Sequence, residues 1–378
     1  MHILLVSHNY PTPLDQGFGF FCRNQAEALV TEGHRVGVIG PLVISWKAII
    51  RARKLYFGYK KFVQNGVLAY LWIGFSIPRV QMIRYAIIRY IGHRMVDRYV
   101  QQYGIPDVLH LHVYVATEVA IYASQKYGIP LIWTEHFSDV ARNNISGMER
   151  KLIQTLIATS QIRIAVSPFL ANKLNENFNA SFRVLPNVYD SNIFKSNHAL
   201  DKYDQFTFLS VAYMHPIKNH LRLLDAFELI SDIPAVLVLV GIGDMYDRLK
   251  KEVSDRALSS KVRFLGELIP EKVAVEMNRS HALVVSSDFE TFNVTVVEAL
   301  ACGIPVISTK CGGPEHIILS DEIGVLTSKT PESLARGMRF VYDNFGKYSP
   351  EIISGYSLLN YSIGAIAKKL TDIYVECA

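Results

Sequence analysis

Short runs rich in Val, Ile and Leu recur along this chain, each followed by a longer stretch of helical period. That alternation commits a chain to repeated strand–helix–strand units and parallel sheets, because a parallel strand is reached only through a crossover. Residues 2–7 read as a buried strand, a loop with Gly17 and Gly19 follows, a helix runs over about 18–32, and Gly33 closes it before a strand at 35–39. Further strands are expected at 108–113, 131–134, 162–166 and 182–185. Residues 190–205 are polar, lack apolar period and read as a linker. A second series follows, with strands at 206–212, 235–240, 262–265, 282–285 and 305–308 and helices between them. The expectation is two doubly wound α/β domains, residues 1–190 and 191–355. A closing helix at about 355–378 suits either and is free to pack back on the first.

Composition narrows the class further. Half the 378 residues are hydrophobic and 19% are charged, which excludes a disordered chain, and the length predicts two or three domains. The four cysteines (Cys22, Cys302, Cys311, Cys377) form no C-x-x-C pair and have no His at ligand spacing, so neither a disulfide framework nor a metal site is expected. The amino terminus has no Lys or Arg before a short apolar run, and the longest nearly apolar stretch, 66–78, is too short to span a bilayer. A cytoplasmic chain without a membrane-crossing segment is expected.

Two carboxylates eight positions apart carry the strongest chemical signal. Glu290 lies on the loop beyond a strand's carboxyl end, where open parallel sheets bind ligands, and Glu298 lies about one turn into the next helix. The free N–H groups of that helix near Phe292, Asn293 and Val294 suit a phosphate, and the carboxylates suit hydroxyl groups on either side of it. Two Glu alone are better explained as an electrostatic helix cap and a solvated side chain. The surroundings reverse that judgement. The segment 290–305, continuing through Cys311-Gly-Gly-Pro-Glu315, resembles the E-x7-E signature of glycosyltransferase family 4, retaining enzymes that use nucleotide sugars and have the GT-B fold. Val211-Ala-Tyr-Met-His-Pro-Ile-Lys218, Val240-Gly-Ile-Gly-Asp and Val184-Leu-Pro-Asn-Val-Tyr-Asp190 resemble further family segments. In the first half Gly17-Phe-Gly19 with Gly33-His34, Asp107-Val-Leu-His-Leu-His112 and Thr134-Glu-His136 fall in family order. The resemblance spans nearly the whole chain.

It implies two Rossmann-like domains facing each other across a cleft. Glu290 would contact the transferred sugar, Glu298 would hold the ribose hydroxyls, and Lys218 would neutralise the diphosphate. Gly241 and Gly243 would line the donor site with Phe292, Asn293 and Val294, with no cofactor and no metal. Two positions depart from the pattern. Tyr213 stands where many members have a diphosphate-binding Arg, and Asn293 stands where Gly is common, although Asn tolerates left-handed backbone.

His110 and His112 share one face of a strand covered on both sides. A satisfied core histidine explains His110. His112, nearer the carboxyl end, matches the family's active-site His, and His136 opens the next loop, lining the same site or capping a helix. Gly17 and Gly19 let backbone amides approach an acceptor or form a plain turn. Asp15 and Asp139 hold acceptor hydroxyls or are merely solvated.

Charge is segregated. Residues 41–100 hold eleven Lys and Arg against Asp97, a net +10, leaving −5 for the rest of a chain whose total is +5. Trp46, Tyr56, Trp72, Phe75 and other apolar residues interleave with these cations, as expected of a surface on anionic lipid. No nucleic-acid motif accompanies them, and a face that binds nothing is the alternative. The expected activity is sugar transfer from a UDP- or GDP-linked donor to a saccharide acceptor, lipid-linked or of a cell-surface polysaccharide or lipopolysaccharide, on the inner membrane face. The other readings are a nucleotide-sugar epimerase or hydrolase on the same fold, or a non-catalytic sugar-binding protein at the membrane.

Overall fold

The computed structural model describes residues 1–12, 19–44, 57–75 and 81–377. The chain forms two compact units, Met1–Val188 with Ile363–Ala378, and Tyr189–Ser362.

The first unit contains β1 (His2–Ser7), α1 (Phe20–Thr31), β2 (Arg35–Ile44), β3 (Gly58–Gln64), β4 (Val67–Phe75), α2 (Gln81–Tyr103), β5 (Val108–His112) and α3 (Thr117–Tyr127). It continues with β6 (Leu131–Glu135), α4 (Ser138–Ala141), α5 (Gly147–Thr159), β7 (Ile162–Ala165), α6 (Pro168–Phe178) and β8 (Arg183–Val184). Its described strands lie in the order β3-β4-β2-β1-β5-β6-β7-β8. All neighbours are parallel except β3 and β4. This antiparallel hairpin, within the basic segment, departs from the expected all-parallel sheet. Its turn is Asn65-Gly66, with φ of 48° and 78°, and an Asn-Gly pair accepts the left-handed backbone that a tight hairpin needs.

The second unit contains β9 (Phe206–Val211), α7 (His220–Glu228), β10 (Ala235–Val240), α8 (Tyr246–Asp255), β11 (Val262–Gly266), α9 (Pro270–Arg279) and β12 (Ala282–Val285). After these come α10 (Val294–Ala301), β13 (Val306–Thr309), β14 (Gly324–Thr327), α11 (Pro331–Asp343) and α12 (Pro350–Tyr361). The sheet is parallel, in the order β11-β10-β9-β12-β13-β14.

The closing helical pattern is two helices rather than one. The chain breaks at Ser362; α12 belongs to the second unit and α13 (Ile363–Val375) to the first. There Ile366, Leu370, Ile373 and Tyr374 enter the core beside Cys22, Ala26 and Leu29 of α1. Residues 190–205 are irregular but tied down: Asn197 N–H donates to Asn278 Oδ1 (2.8 Å) and Lys202 Nζ to the Ser280 carbonyl (2.6 Å).

Each sheet has one place where successive crossovers leave in opposite directions, between β1 and β5 in the first and between β9 and β12 in the second. Open α/β sheets bind ligands outside the carboxyl ends of strands at such points.

Candidate active site

In the second unit the loops after β9 and β12 meet at the switch point. Lys218 ends a short turn, Pro216–Lys218, and Asn219 follows in a left-handed conformation, its Oδ1 accepting from the Arg222 N–H at 3.2 Å to start α7. Ser286 Oγ donates to the Lys218 carbonyl (2.8 Å), and the Asp288 N–H to the Ile217 carbonyl (2.8 Å). This lacing carries Lys218 Nζ to 2.6 Å from Glu290 Oε1, an oxygen that also accepts from Ser287 Oγ at 2.6 Å. The Glu290 main chain is pinned as well, its N–H donating to the Cys311 carbonyl and its carbonyl accepting from the Gly313 N–H, both at 2.8 Å. Glu290 is only 8% exposed, and Lys218 supplies the countercharge that a buried carboxylate requires.

Glu298 is the fifth residue of α10. Burial, with Asp190 nearby, pushes its carboxyl up to about 8. The shift favours the protonated form, which offers a hydroxyl donor beside a carbonyl acceptor, where the sequence suggested a carboxylate that only accepts. Asn293 precedes the helix at φ 80° with no side-chain cap bond. The Val294 and Thr295 N–H groups precede the first bond of the helix, Val296 N–H to the Asn293 carbonyl at 3.2 Å, and carry the positive end of the helix dipole. The Phe292 side chain is 3% exposed and meets Tyr361 edge-to-face at 5.9 Å, so only its backbone is available to a donor.

Gly241 and Gly243 lie tight against neighbouring backbone. A Cβ on Gly241 would lie 2.0 Å from the Ala212 carbonyl oxygen, and one on Gly243 would lie 2.6 Å from the Met214 nitrogen. The loop after β10 presses on the loop after β9, so the glycines permit loop-on-loop packing. Tyr213, on that second loop, is 46% exposed, and its hydroxyl reaches Asp244 Oδ1 at 3.5 Å. Arg222 stands at the same edge but is committed, donating to the Ser286 carbonyl (2.9 Å) and Asp288 Oδ1 (2.6 Å).

In the first unit His110 is a core histidine, its Nδ1 2.6 Å from the Tyr374 hydroxyl and its Nε2 2.7 Å from Thr134 Oγ1. His112 Nδ1 lies 3.0 Å from His136 Nε2, and the Phe21 ring stacks on His136 at 4.1 Å. Burial lowers His112 to about 3 and His136 well below the ordinary imidazole range, so this pair is uncharged at neutral pH and one ring donates to the other. His112 Nε2 is buried without a hydrogen bond among the described residues. The next residue, Val113, has φ 68° and ψ 137°, a costly conformation for a β-branched side chain. Such strain persists where surrounding structure holds it, here with the Val113 N–H on the Thr134 carbonyl at 3.0 Å.

Residues 16–192 match the family described as Glycosyltransferase Family 4, and residues 192–350 match Glycosyl transferases group 1. Among relatives, the N-acetyl-alpha-D-glucosaminyl L-malate synthase of Bacillus anthracis is 25% identical over 290 residues, covering 68% of this chain and 75% of that one. The phosphatidyl-myo-inositol mannosyltransferase of Mycobacterium tuberculosis is 26% identical over 302 residues, covering 76% and 78%. The solved structure of sucrose-phosphate synthase from Thermosynechococcus elongatus superposes with a TM-score of 0.82 at 18% identity, covering 100% and 98%. Anabaena HepE in complex with UDP-glucose does so with a TM-score of 0.73 at 17% identity, covering 100% of both chains. The chain belongs to glycosyltransferase family 4. Its fold is GT-B.

For this glycosyltransferase the remaining sequence-derived positions divide plainly. Asp15 and Gly17 lie outside the described residues. Gly19 starts α1 at φ 76°, and a Cβ there would lie 2.3 Å from the Asn9 carbonyl carbon, so its small size serves chain packing. Asp139 is paired with Arg142 at 2.7 Å. Two residues in contact with, or beside, the candidate positions are not singled out by the sequence. Ser287 holds Glu290, and nothing local marks it. Glu135 ends β6 fully buried, accepts from the N–H groups of His136 (2.8 Å) and Phe137 (2.9 Å), and is raised by burial to about 7. Its signal was present: an acid closing the apolar run Leu131-Ile-Trp-Thr.

Proposed function

We propose that this glycosyltransferase moves a sugar from a UDP- or GDP-linked donor to a saccharide hydroxyl with retention of anomeric configuration and without a metal. The Lys218–Glu290 pair at the second switch point carries this reading, because it sets a cation and a hydroxyl acceptor side by side at a sheet's ligand edge. Lys218 and the first-turn amides of α10 meet the diphosphate, and Glu290 accepts from the sugar being moved. Glu298 takes the ribose hydroxyls as donor and acceptor, and His112 Nε2 is the ring nitrogen left for a sugar hydroxyl. The bond from the anomeric carbon to the diphosphate oxygen breaks with its electron pair leaving on the diphosphate. The acceptor oxygen bonds the same carbon on the same face, and its proton passes to the departing diphosphate. Charge building on that leaving group is stabilised by positioned donors that need no reorganisation.

The acceptor is a lipid-linked intermediate of a cell-surface polysaccharide or lipopolysaccharide, and the protein sits peripherally on an anionic cytoplasmic membrane surface. What supports the membrane reading is the described part of the basic segment. Along α2, Met82, Ile83 and Tyr90 are exposed, and Arg94 and Arg98 lie over the rings of Tyr90 (4.4 Å) and Tyr59 (5.3 Å). Arg89 is answered by Glu118 at 3.6 Å and Arg84 turns inward, while Lys47, Arg51, Arg53, Lys54 and Arg79 lie outside the described residues. No described helix is long and apolar enough to cross a membrane.

The test is a panel of nucleotide sugars scored by thermal stabilisation, followed by NMR of the transferred product. Stabilisation by a UDP or GDP sugar and an anomeric configuration matching the donor are expected. Inversion would refute the mechanism, and release of free nucleoside diphosphate without acceptor would favour a hydrolase.

A further inference from the structure

His8 stands one residue beyond β1, whose last residue, Ser7, pairs in register with His112 at the end of β5. It therefore lies at the carboxyl edge of the first sheet, beside that sheet's switch point. The His8 ring is buried, with Nδ1 2.9 Å from the Pro41 carbonyl and Nε2 2.8 Å from a terminal nitrogen, Nη2, of Arg84. A carbonyl only accepts and a guanidinium only donates, so Nδ1 carries the proton and Nε2 offers its lone pair. The ring is a neutral prop.

That prop is the one hydrogen bond the Arg84 side chain makes among the described residues. Its Nε is buried and unbonded, and no described carboxylate lies within ion-pair distance. Glu149, linked to the adjacent Tyr85, is occupied by the hydroxyls of Tyr85 (3.2 Å) and Tyr114 (2.8 Å) and by Ser146. Arg222 is answered by Asp288 and Arg256 by Asp225 and Glu252, while the partly buried Arg150 and Arg163, which also lack an acid among the described residues, donate to carbonyl and amide oxygens where Arg84 has only an imidazole. An arginine keeps its charge at any physiological pH, and withdrawing part of that charge from water without a counter-anion is unfavourable. Arg84 is thus a cation held in place at a ligand edge by a group that does not neutralise it.

We propose that Arg84 binds an oxyanion of the acceptor, a phosphate ester or a carboxylate, with His8 holding the guanidinium fork in position. The acceptor is then a charged saccharide or a saccharide linked through phosphate. The proposal rests on the sugar-transfer reading and adds the chemical class of the acceptor.

Calorimetric titration of the full chain, saturated with UDP, with glucose 6-phosphate, glucuronate and glucose tests it. Wild type is expected to bind one of the two anions at least roughly tenfold tighter than glucose, and which anion wins separates phosphate from carboxylate. Arg84→Gln should erase the preference, and Arg84→Lys, which keeps the charge and loses the fork, should retain part of it. Equal binding of all three probes by wild type overturns the proposal, as does a preference undiminished in Arg84→Gln. Should Arg84→Gln fail to fold, the wild-type comparison and Arg84→Lys still decide. Stabilisation by UDP reports separately on the second unit: its loss counts against the transferase reading, whereas its presence without an anion preference counts against Arg84 alone.

Discussion

Replacing Glu290 by Gln should tighten binding of the free nucleoside diphosphate while reducing transfer. Lys218 Nζ is held by Glu290 Oε1 at 2.6 Å, so a diphosphate that recruits Lys218 must first share it with a carboxylate. A hydrogen bond between charged partners contributes roughly 1.5–3 kcal/mol. The Lys218 side chain is 27% exposed, and water screens part of that, leaving about 1 kcal/mol as the attraction Glu290→Gln releases. At tenfold per 1.4 kcal/mol, UDP should bind roughly fivefold tighter. Lys218→Ala acts oppositely. It removes a donor aimed at the leaving group, so turnover should fall roughly 10²- to 10³-fold and UDP should bind more weakly. It also strands a buried carboxylate on Ser287 alone, costing roughly 1–3 kcal/mol, or about 2–4 °C in melting temperature per kcal/mol for a unit of this size. Calorimetric titration of UDP into wild type, both single variants and the double variant measures the coupling directly. If Glu290→Gln weakens UDP binding as Lys218→Ala does, Glu290 is itself a diphosphate-supporting residue and the division of roles drawn above is wrong.

Glu298 has a folded-state pKa raised above its unfolded value, so its contribution to stability is present below about pH 4.5 and is lost as pH rises toward about 8. Glu298→Gln should flatten that decline in melts taken between pH 5 and 8, and an unchanged slope would show that its carboxyl is ionised. Asn293, at φ 80°, should tolerate Gly, whereas Asn293→Val should cost roughly 1–3 kcal/mol by chemical denaturation. Vesicles containing anionic lipid should sediment the protein and neutral vesicles should not, the difference shrinking at high salt. Equal, negligible binding to both would remove the membrane from the reading.

Local pattern carried much of the architecture, since β1, β10, β12 and α10 lie where apolar period and breakers place them. What it missed is instructive. The β3–β4 hairpin hid inside a segment read for charge, although Asn65-Gly66 between two β-rich runs is a hairpin signal. Helical period runs straight through Ser362, because it is blind to a break that preserves polarity on both sides. Sequence alone places Gly241 and Gly243 at the donor site through the family resemblance, and leaves Gly19 as either an acceptor approach or a plain turn. A glycine records only that something comes close, and here that something is the backbone of Ala212, Met214 and Asn9.

The site itself rests on contacts that period cannot encode. Lys218 and Glu290 are 72 positions apart and touch because β9 and β12 are neighbours while β10 and β11 lie on the far side of β9. In the first unit Ser7 and His112 are aligned because β1 and β5 are neighbours, with β2, β4 and β3 on the other side. Both arrangements follow from one reversal of winding in each sheet, which leaves two adjacent strand ends uncovered by a crossover. The residues found there are the ones whose environments oppose their ordinary chemistry: a buried carboxylate needing a lysine, neutral imidazoles at His112 and His8, a positive-φ valine and an arginine with no acid beside it among the described residues. Stability alone gives no reason to gather such groups at two strand edges. Recognition of a charged donor and a charged acceptor gives one for each edge.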